Sequence, residues 1–344
     1  MSYEVLESTL QGEPEEPVGR SSMIQRILVP VDGSPLSEQA LCQAMAMANA
    51  FDAEILLLRV QEPEAGTGGF SDSVSWRLRR AEAASALEQI AERLRAAGRR
   101  VATDLSQGRA AEEILKAART RPAELVVLAT HGASGHSRFH FGSTAHKVIS
   151  EAGVSILIVR ASEDRGSGPV EARPERIMVP FDGSQRAQWA LGLSSSIARA
   201  LGSELLLVHV VDTRELQGQA PTTPEERELA RRVAERDRSL ATEYLGHMKQ
   251  VLAGSGIAVR TRLLDFPNVA EALCRLAVEE RVSLVVMSAH GSSGAAPWSY
   301  GSVADRLIAH CTTPLLVFQD LPAWDAGKSE AVVPESRLAS MSST

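Results

Sequence analysis

The amino-acid sequence contains one pattern twice, and this repeat limits the possible folds more than any other feature of the chain. The segment RILVPVDGS at 26–34 returns as RIMVPFDGS at 176–184, an offset of 150 residues. The apolar run EILLLRV at 54–60 returns as ELLLVHV at 204–210 with the same offset. Three later landmarks, the last of which is VSILIVR, return 159 residues further on. Landmarks that keep one order predict two tandem domains of the same fold.

The length of the chain agrees with this division. It has 344 residues, and a domain takes roughly 100–200 residues. We expect domains at 23–160 and 174–320, joined by a polar linker at 161–173. The tails at 1–22 and 321–344 are rich in Ser, Glu, Gly and Pro. Such segments cannot bury a core, so we expect both tails to be poorly ordered and the first to be acidic.

Composition excludes several classes of protein. A net charge of −7 argues against a nucleic-acid binder, which needs a large basic surface. No apolar run reaches the roughly 18 residues of a membrane span, and the first 22 residues are acidic and lack the apolar core of a signal peptide. The three cysteines are far apart and form no CxxC motif, which argues against a disulfide scaffold or a zinc site. We therefore expect a cytoplasmic protein that binds neither membrane nor nucleic acid.

Each copy alternates short apolar runs with longer amphipathic stretches. In the first copy the runs are ILVPV, EILLLRV, ELVVLA and SILIV. Runs of this kind, without alternation, are typical of parallel strands that are buried on both faces. Helices are predicted at 35–50, 76–97, about 110–120 and about 143–152. The sequence therefore predicts two tandem α/β domains, each a doubly wound five-stranded parallel sheet.

The most specific candidate site follows the fourth predicted strand of each copy. Gly132 is separated by nine residues from Gly142 and Ser143, and Gly291 has the same spacing to Gly301 and Ser302. Glycine lets the backbone approach a ligand, and the start of a helix favours an anion. The plainer interpretation is that these glycines only form a turn and begin a helix. The intervening loop contains His136, Arg138 and His140 in the first copy and no basic residue in the second, so we expect the first copy to bind a phosphate ligand more tightly.

Two further residue types at the strand ends have alternative interpretations. Asp32 and Asp182 follow the first strand of their copies; each carboxylate could accept hydrogen bonds from an adenine or ribose edge, or could cap the next helix. His131 and His290 end the fourth strands and could contact ribose or phosphate, or act as a base. No nucleophile or acid is paired with either histidine in the sequence, which argues against catalysis.

These residues resemble the universal stress protein family, and the resemblance covers about 23–160 and 174–320. Nucleotide-binding members of that family carry Gly-x2-Gly-x9-Gly-(Ser/Thr) after the fourth strand. Both copies match the last two elements, but Ala129 and Ser288 replace the first glycine. The resemblance implies an adenine-nucleotide α-hydrolase-like fold with strand order 3-2-1-4-5. It also implies pairing through the fifth strand, which the two copies could satisfy within one chain as a pseudo-dimer, with a further homodimer open.

The resemblance also implies ATP, together with Mg²⁺, as the ligand. Adenine would lie between the first and second strand ends, where Phe181 replaces a small residue and could either stack on the base or fill its pocket. The positions that would contact ATP are Pro30, Val31, Asp32, Val60, Ala129, His131, Gly132, Gly135, Arg138, Gly142, Ser143, Thr144, Pro180, Phe181, Asp182, Val210, Ser288, His290, Gly291, Gly301, Ser302 and Val303.

Two functions remain open at this point. The first is an ATP-binding regulatory protein of the stress response that is not a dedicated enzyme, with slow ATP hydrolysis left open. The second is a tandem stress protein that has lost nucleotide binding and serves as an interaction scaffold. Ligases and nucleotidyl transferases of related fold need Ser-Gly-Gly or His-x-Gly-His near the first strand, where Val-Asp-Gly-Ser stands instead. A P-loop kinase is excluded, because Gly-Lys-(Ser/Thr) does not occur.

Overall fold

The structure, a computed structural model, describes residues 24–62, 73–130, 142–160, 173–212, 223–291 and 300–319. Its first half contains, in chain order, β1 (Arg26–Pro30), α1 (Pro35–Phe51), β2 (Glu54–Gln61), α2 (Ser73–Ala96), β3 (Val101–Gln107), α3 (Ala110–Thr120), β4 (Leu125–Ala129), α4 (Ser143–Glu151) and β5 (Ser155–Val159). The four helices predicted in this half agree with α1 to α4 to within three residues at either end.

The second half repeats this order of elements. It contains β6 (Arg176–Pro180), α5 (Gln185–Leu201), β7 (Glu204–Asp212), α6 (Pro224–Gly254), β8 (Val259–Phe266), α7 (Val269–Glu279), β9 (Leu284–Ser288), α8 (Ser302–His310) and β10 (Leu315–Phe318). Helix α6 has 31 residues where its counterpart α2 has 24. Both halves are α/β, which confirms the predicted fold class.

The strands of both halves form one ten-stranded sheet. Its order is β3-β2-β1-β4-β5-β10-β9-β6-β7-β8. Neighbouring strands within each half are parallel. Each half therefore has the order 3-2-1-4-5 in its own numbering, and the carboxyl ends of its strands meet at one edge of the sheet.

Two layers of helices cover the sheet because its central strands are apolar on both faces. Ile27 and Val29 of β1 pack in the layer that contains α1, α2, α5 and α6. Leu28, between them, packs in the layer that contains α3, α4, α7 and α8. All three side chains are fully buried. Burial on both faces explains why the strand sequences are continuous apolar runs instead of alternating ones.

The fifth strands join the two halves. Strand β10 pairs antiparallel with β5, and Leu316 lies opposite Leu157. Beside this ladder the hydroxyl of Tyr300 donates to the carbonyl of Ile149 at 2.8 Å. The backbone N–H of Gln319 donates to the hydroxyl of Ser155 at 3.1 Å. Helices α1 and α5 also pack against each other, so the junction includes both strands and helices.

The predicted tails and linker fall almost entirely on residues outside the described ranges. Among the helices that the structure describes, none combines the length and the apolar character that crossing a membrane requires.

Candidate functional site

The turn after β1 is held by its own side chains. The carboxylate oxygen Oδ1 of Asp32 accepts from the backbone N–H of Ser34 at 2.9 Å. The hydroxyl oxygen of Ser34 in turn accepts from the N–H of Ser37 at 3.1 Å and caps α1. Gly33 has φ +82°, a conformation that a residue with a side chain rarely adopts. Asp32 therefore fixes the turn, Ser34 is the cap, and the Asp32 side chain remains exposed at the edge of the sheet.

The turn after β6 has the same design with one added contact. Oδ1 of Asp182 accepts from both the N–H and the hydroxyl of Ser184, at 3.0 and 2.6 Å. Its second oxygen, Oδ2, lies against Gly291, where an added Cβ would be only 2.7 Å away. A side chain at 291 would therefore have to displace the Asp182 carboxylate, which lies between the first and fourth strand ends of this half.

A cation that the sequence did not indicate lies beside the first turn. The Nη1 atom of Arg59, near the end of β2, is 3.4 Å from the place that a Cβ on Gly33 would take. The aligned residue of the second half is His209, which is only 9% exposed. Its Nδ1 lies 2.7 Å from the carbonyl oxygen of Phe181, so this nitrogen carries the proton and donates it. Burial lowers the pKa of His209, although the hydrogen bond to Phe181 acts in the opposite direction.

Aromatic side chains occupy the first strand end of the second half. The ring of Phe181 stacks on the ring of Tyr244 with centroids 5.0 Å apart and planes 16° from parallel. The two residues are 4% and 3% exposed. Burial raises the pKa of Tyr244 to about 12, so the phenol is neutral. Of the two interpretations of Phe181, the structure shows the ring packed into the protein core.

The first half has small residues in the same places. Val31 aligns with Phe181 in the repeat. An offset of 158 residues pairs Gly98 with Gly256, which both have positive φ just beyond the ends of α2 and α6, and it sets Ala86 opposite Tyr244. Val31 is buried and Ala86 is half-buried. Sequence reasoning missed the Tyr244 and Ala86 pair, although this alignment of the two long helices contains it.

Helices α4 and α8 begin in the same way in both halves. The N–H of Gly142 donates to the carbonyl of Thr130 at 3.0 Å, and that of Gly301 donates to the carbonyl of Ala289 at 2.8 Å. Each glycine occupies the N-cap position before the first helical residue, and within the described residues no side-chain cap bond is present at either helix. Both have ordinary negative φ, and a Cβ on either would have its nearest contact at 3.5 Å. Within the described ranges, nothing in the fold requires glycine at these two positions.

The remaining predicted contacts lie along the same edge or outside the described residues. His131, Gly132, Gly135 and Arg138 lie outside the described ranges. His290 is 3% exposed, and the hydroxyl of Ser288 donates to its carbonyl at 2.7 Å. The other predicted residues are half-buried or exposed at strand ends or helix starts, and these are Pro30, Val60, Ala129, Ser143, Thr144, Pro180, Val210, Ser302 and Val303. Across the described ranges, no group of three or more His, Cys, Asp or Glu side chains could hold a metal ion.

The ten-stranded sheet and its paired strand-end turns define a tandem, doubly wound α/β protein. A model of the universal stress protein family matches residues 23–160 and 174–319. The chain therefore belongs to the universal stress protein family and carries two tandem copies of its domain, as the resemblance implied.

Three known proteins illustrate this relationship. A universal stress protein of Mycolicibacterium smegmatis is 26% identical over 301 residues, which cover 85% of this chain and 96% of that protein. A shorter one from Thermus aquaticus is 37% identical over 141 residues, which cover 40% of this chain and 100% of that protein. The crystal structure of a universal stress protein from Archaeoglobus fulgidus superimposes with a TM-score of 0.59 at 21% identity, covering 86% of this chain and 98% of that one. The last likeness concerns the fold alone.

Proposed function

We propose that this tandem universal stress protein binds ATP at the strand-end edge of its first half and acts as a regulatory protein of the stress response, not as a dedicated enzyme. The observation that carries the proposal is the start of helix α4. It begins immediately after Gly142, which the described fold does not require, and its N-cap position carries no side chain that could bond to its first N–H groups. A helix start of this kind is suited to receive an anion.

Physical magnitudes limit what the helix start can do alone. The field of a helix end contributes roughly 0.3–1 kcal/mol when exposed and up to about 2 when partly buried. A triphosphate therefore needs further donors and cations. Arg59 lies beside the neighbouring turn, and the sequence places His136, Arg138 and His140 between β4 and α4. Our proposal is that these side chains and the backbone N–H groups at the start of α4 jointly bind the triphosphate.

The adenine end favours the first half. In the second half Phe181 and Tyr244 fill the interior beside β6. Val31 and Ala86 stand at the aligned positions of the first half, and together they have far less volume. A flat base needs an apolar slot that side chains do not already occupy. We therefore propose that the first half accepts adenine and that the second half does not.

Magnesium would enter this site with the triphosphate. Mg²⁺ prefers oxygen ligands and commonly combines one or two carboxylates with phosphate oxygens. The exposed carboxylate of Asp32 is such a ligand at the same edge. Its Oδ1 accepts from the backbone N–H of Ser34 in the turn, and we propose that the same carboxylate also contributes an oxygen ligand to the ion.

The scaffold hypothesis keeps a specific observation in its favour. The second half has a filled interior and an aspartate pressed against Gly291. A half that does not bind nucleotide can still contribute its strand β10 and helix α5 to the junction. We propose that the second half serves in this way, as the pseudo-dimer partner of the first half within one chain. We also place the protein in the cytoplasm, because Cys42, Cys274 and Cys311 are all free thiols.

A matched pair of substitutions tests the ATP site. Gly142→Val and Gly301→Val place the same β-branched side chain before the first residue of α4 and of α8. The backbone at both positions accommodates a side chain, so both variants should fold, and both should show the same small loss of melting temperature because valine is less favourable than glycine at an N-cap. The valine side chain would keep a phosphate away from the backbone at the start of α4, and hydrogen bonds to charged groups contribute about 1.5–3 kcal/mol each. Titration calorimetry should therefore show an affinity for Mg-ATP that is lowered about tenfold or more in Gly142→Val.

The second variant is the control. Gly301→Val should bind Mg-ATP like the wild type. Equal affinity in all three proteins would reject the role of the α4 start, and a loss confined to Gly301→Val would move the site to the second half.

A further inference from the structure

Two of the three cysteines lie together near the junction of the halves. Cys274 is on α7, and Cys311 follows the last residue of α8. These helices pack against each other in the same apolar layer. A hydrogen bond joins the two thiols directly. Cys311 is 2% exposed, whereas Cys274 is partly exposed and not a fully buried apolar residue.

The first half contributes a cation to this thiol pair. The guanidinium of Arg160, just beyond β5, donates to the carbonyl of Ile308 on α8. From this position its charge acts on both Cys311 and Cys274. Thr313 contributes hydrogen bonds from its backbone and side chain to Cys311, and the carboxylate of Glu271 faces Cys274.

These neighbours make the two sulfur atoms unequal. The S–H of Cys274 donates to the sulfur of Cys311 and lowers the pKa of Cys311 to about 7, although burial acts in the opposite direction. The hydrogen bond to Cys311 and then burial raise the pKa of Cys274. Thiolates, not thiols, attack oxidants. The pair therefore combines a sulfur that can form a thiolate with a neighbouring thiol that can resolve the oxidised product.

We propose that Cys274 and Cys311 form a redox-active dithiol that hydrogen peroxide converts into an intramolecular disulfide. A thiolate of the pair attacks one peroxide oxygen, so an S–O bond forms, the O–O bond breaks, and the departing hydroxide takes a proton to become water. The other thiol of the pair then attacks the sulfenic sulfur, so the S–S bond forms and the second oxygen leaves as water. Two thiols and one peroxide give one disulfide and two waters, and an added dithiol reverses the change.

Cys42 provides a matched control within the same chain. It lies on α1 in the other half, and burial followed by the charge of Glu38 raises its pKa. Both effects oppose formation of a thiolate. Cys42 should therefore remain a free thiol under conditions that oxidise the pair.

The full-length protein is first reduced, then exposed to hydrogen peroxide, and the remaining thiols are alkylated before mass spectrometry. The expected result is a loss of two hydrogens from the intact mass and one linked pair of peptides that contain Cys274 and Cys311. Cys42 should carry the only alkyl group, and dithiothreitol should restore all three thiols. Cys274→Ser and Cys311→Ser should each lose the disulfide completely, and Cys42→Ser should keep it.

Melting temperatures of the reduced variants serve as the control that each is folded, so that a missing disulfide can be assigned to the missing thiol. Alkylation of all three thiols after peroxide would overturn the proposal. A disulfide that includes Cys42, or one that joins two chains through Cys274, would overturn it as well.

Discussion

Val31 and Phe181 occupy the same place in the two copies of the repeat, one residue past the first strand of each half. The larger side chain is accommodated by a second aromatic ring, because Phe181 stacks on Tyr244. The backbone of Phe181 is also held, since its carbonyl oxygen accepts from His209. Three residues that are distant in sequence thus act together. A reader of the sequence can see that Phe181 is bulky but cannot see what lies against it.

His209 makes the stability of the second half depend on pH. Burial lowers its pKa in the folded protein, whereas a histidine in an unfolded chain titrates near 6.5. As the pH falls below about 6.5, the unfolded chain takes up a proton that the folded protein does not, so the free energy of unfolding decreases. Above that pH the contribution of His209 to stability is fully present.

Replacing His209 by asparagine removes this titration. The amide of the new side chain would keep an N–H near the position of Nδ1, and it carries no charge at any of these pH values. Urea unfolding at pH 7.5 and 5.5 should show a smaller loss of stability in His209→Asn than in the wild type. The same loss in both proteins would mean that His209 is protonated in the folded state.

At the scale of elements, the signals that set the start of a helix lie close to it in sequence. The strand-end Asp-Gly-Ser turn, the Ser34 cap and Pro35 at the first helical position all lie within a few residues, and they set the start of α1. Both interpretations of Asp32 began from this turn, and its hydrogen bond to Ser34 spans only two residues. The first residue of α2, Ser73, lies three residues before the predicted start, where no cap was recognised.

The Ser34 cap makes a measurable prediction. Ser34→Ala removes the hydroxyl that accepts from Ser37, and the free energy of unfolding should fall by about 1 kcal/mol. Ser34→Thr keeps a hydroxyl and should lose less than Ser34→Ala. Chemical denaturation of the full chain measures both values, and equal losses would show that the hydroxyl does not stabilise the helix.

For the whole molecule, the repeat established two similar halves but could not establish their differences. The predicted alternation of elements gave five strands in each half, and the structure joins the ten strands into one sheet through β5 and β10. The asymmetry depends on contacts across long distances, such as Phe181 with Tyr244 and Asp182 with Gly291. Such contacts decide which half has room for a ligand, and nothing in a local sequence window reports them.

The number of nucleotides bound by each chain tests this account most directly. The purified full-length protein is first unfolded, and any ligand that it releases is identified by mass spectrometry. The protein is then refolded without nucleotide and titrated with Mg-ATP in a calorimeter. The account predicts one ATP per chain, because Phe181 and Tyr244 fill the interior beside β6, whereas the smaller Val31 and Ala86 stand at the aligned positions of the first half. Two ATP molecules per chain would contradict the asymmetry, and none would contradict the site at the start of α4.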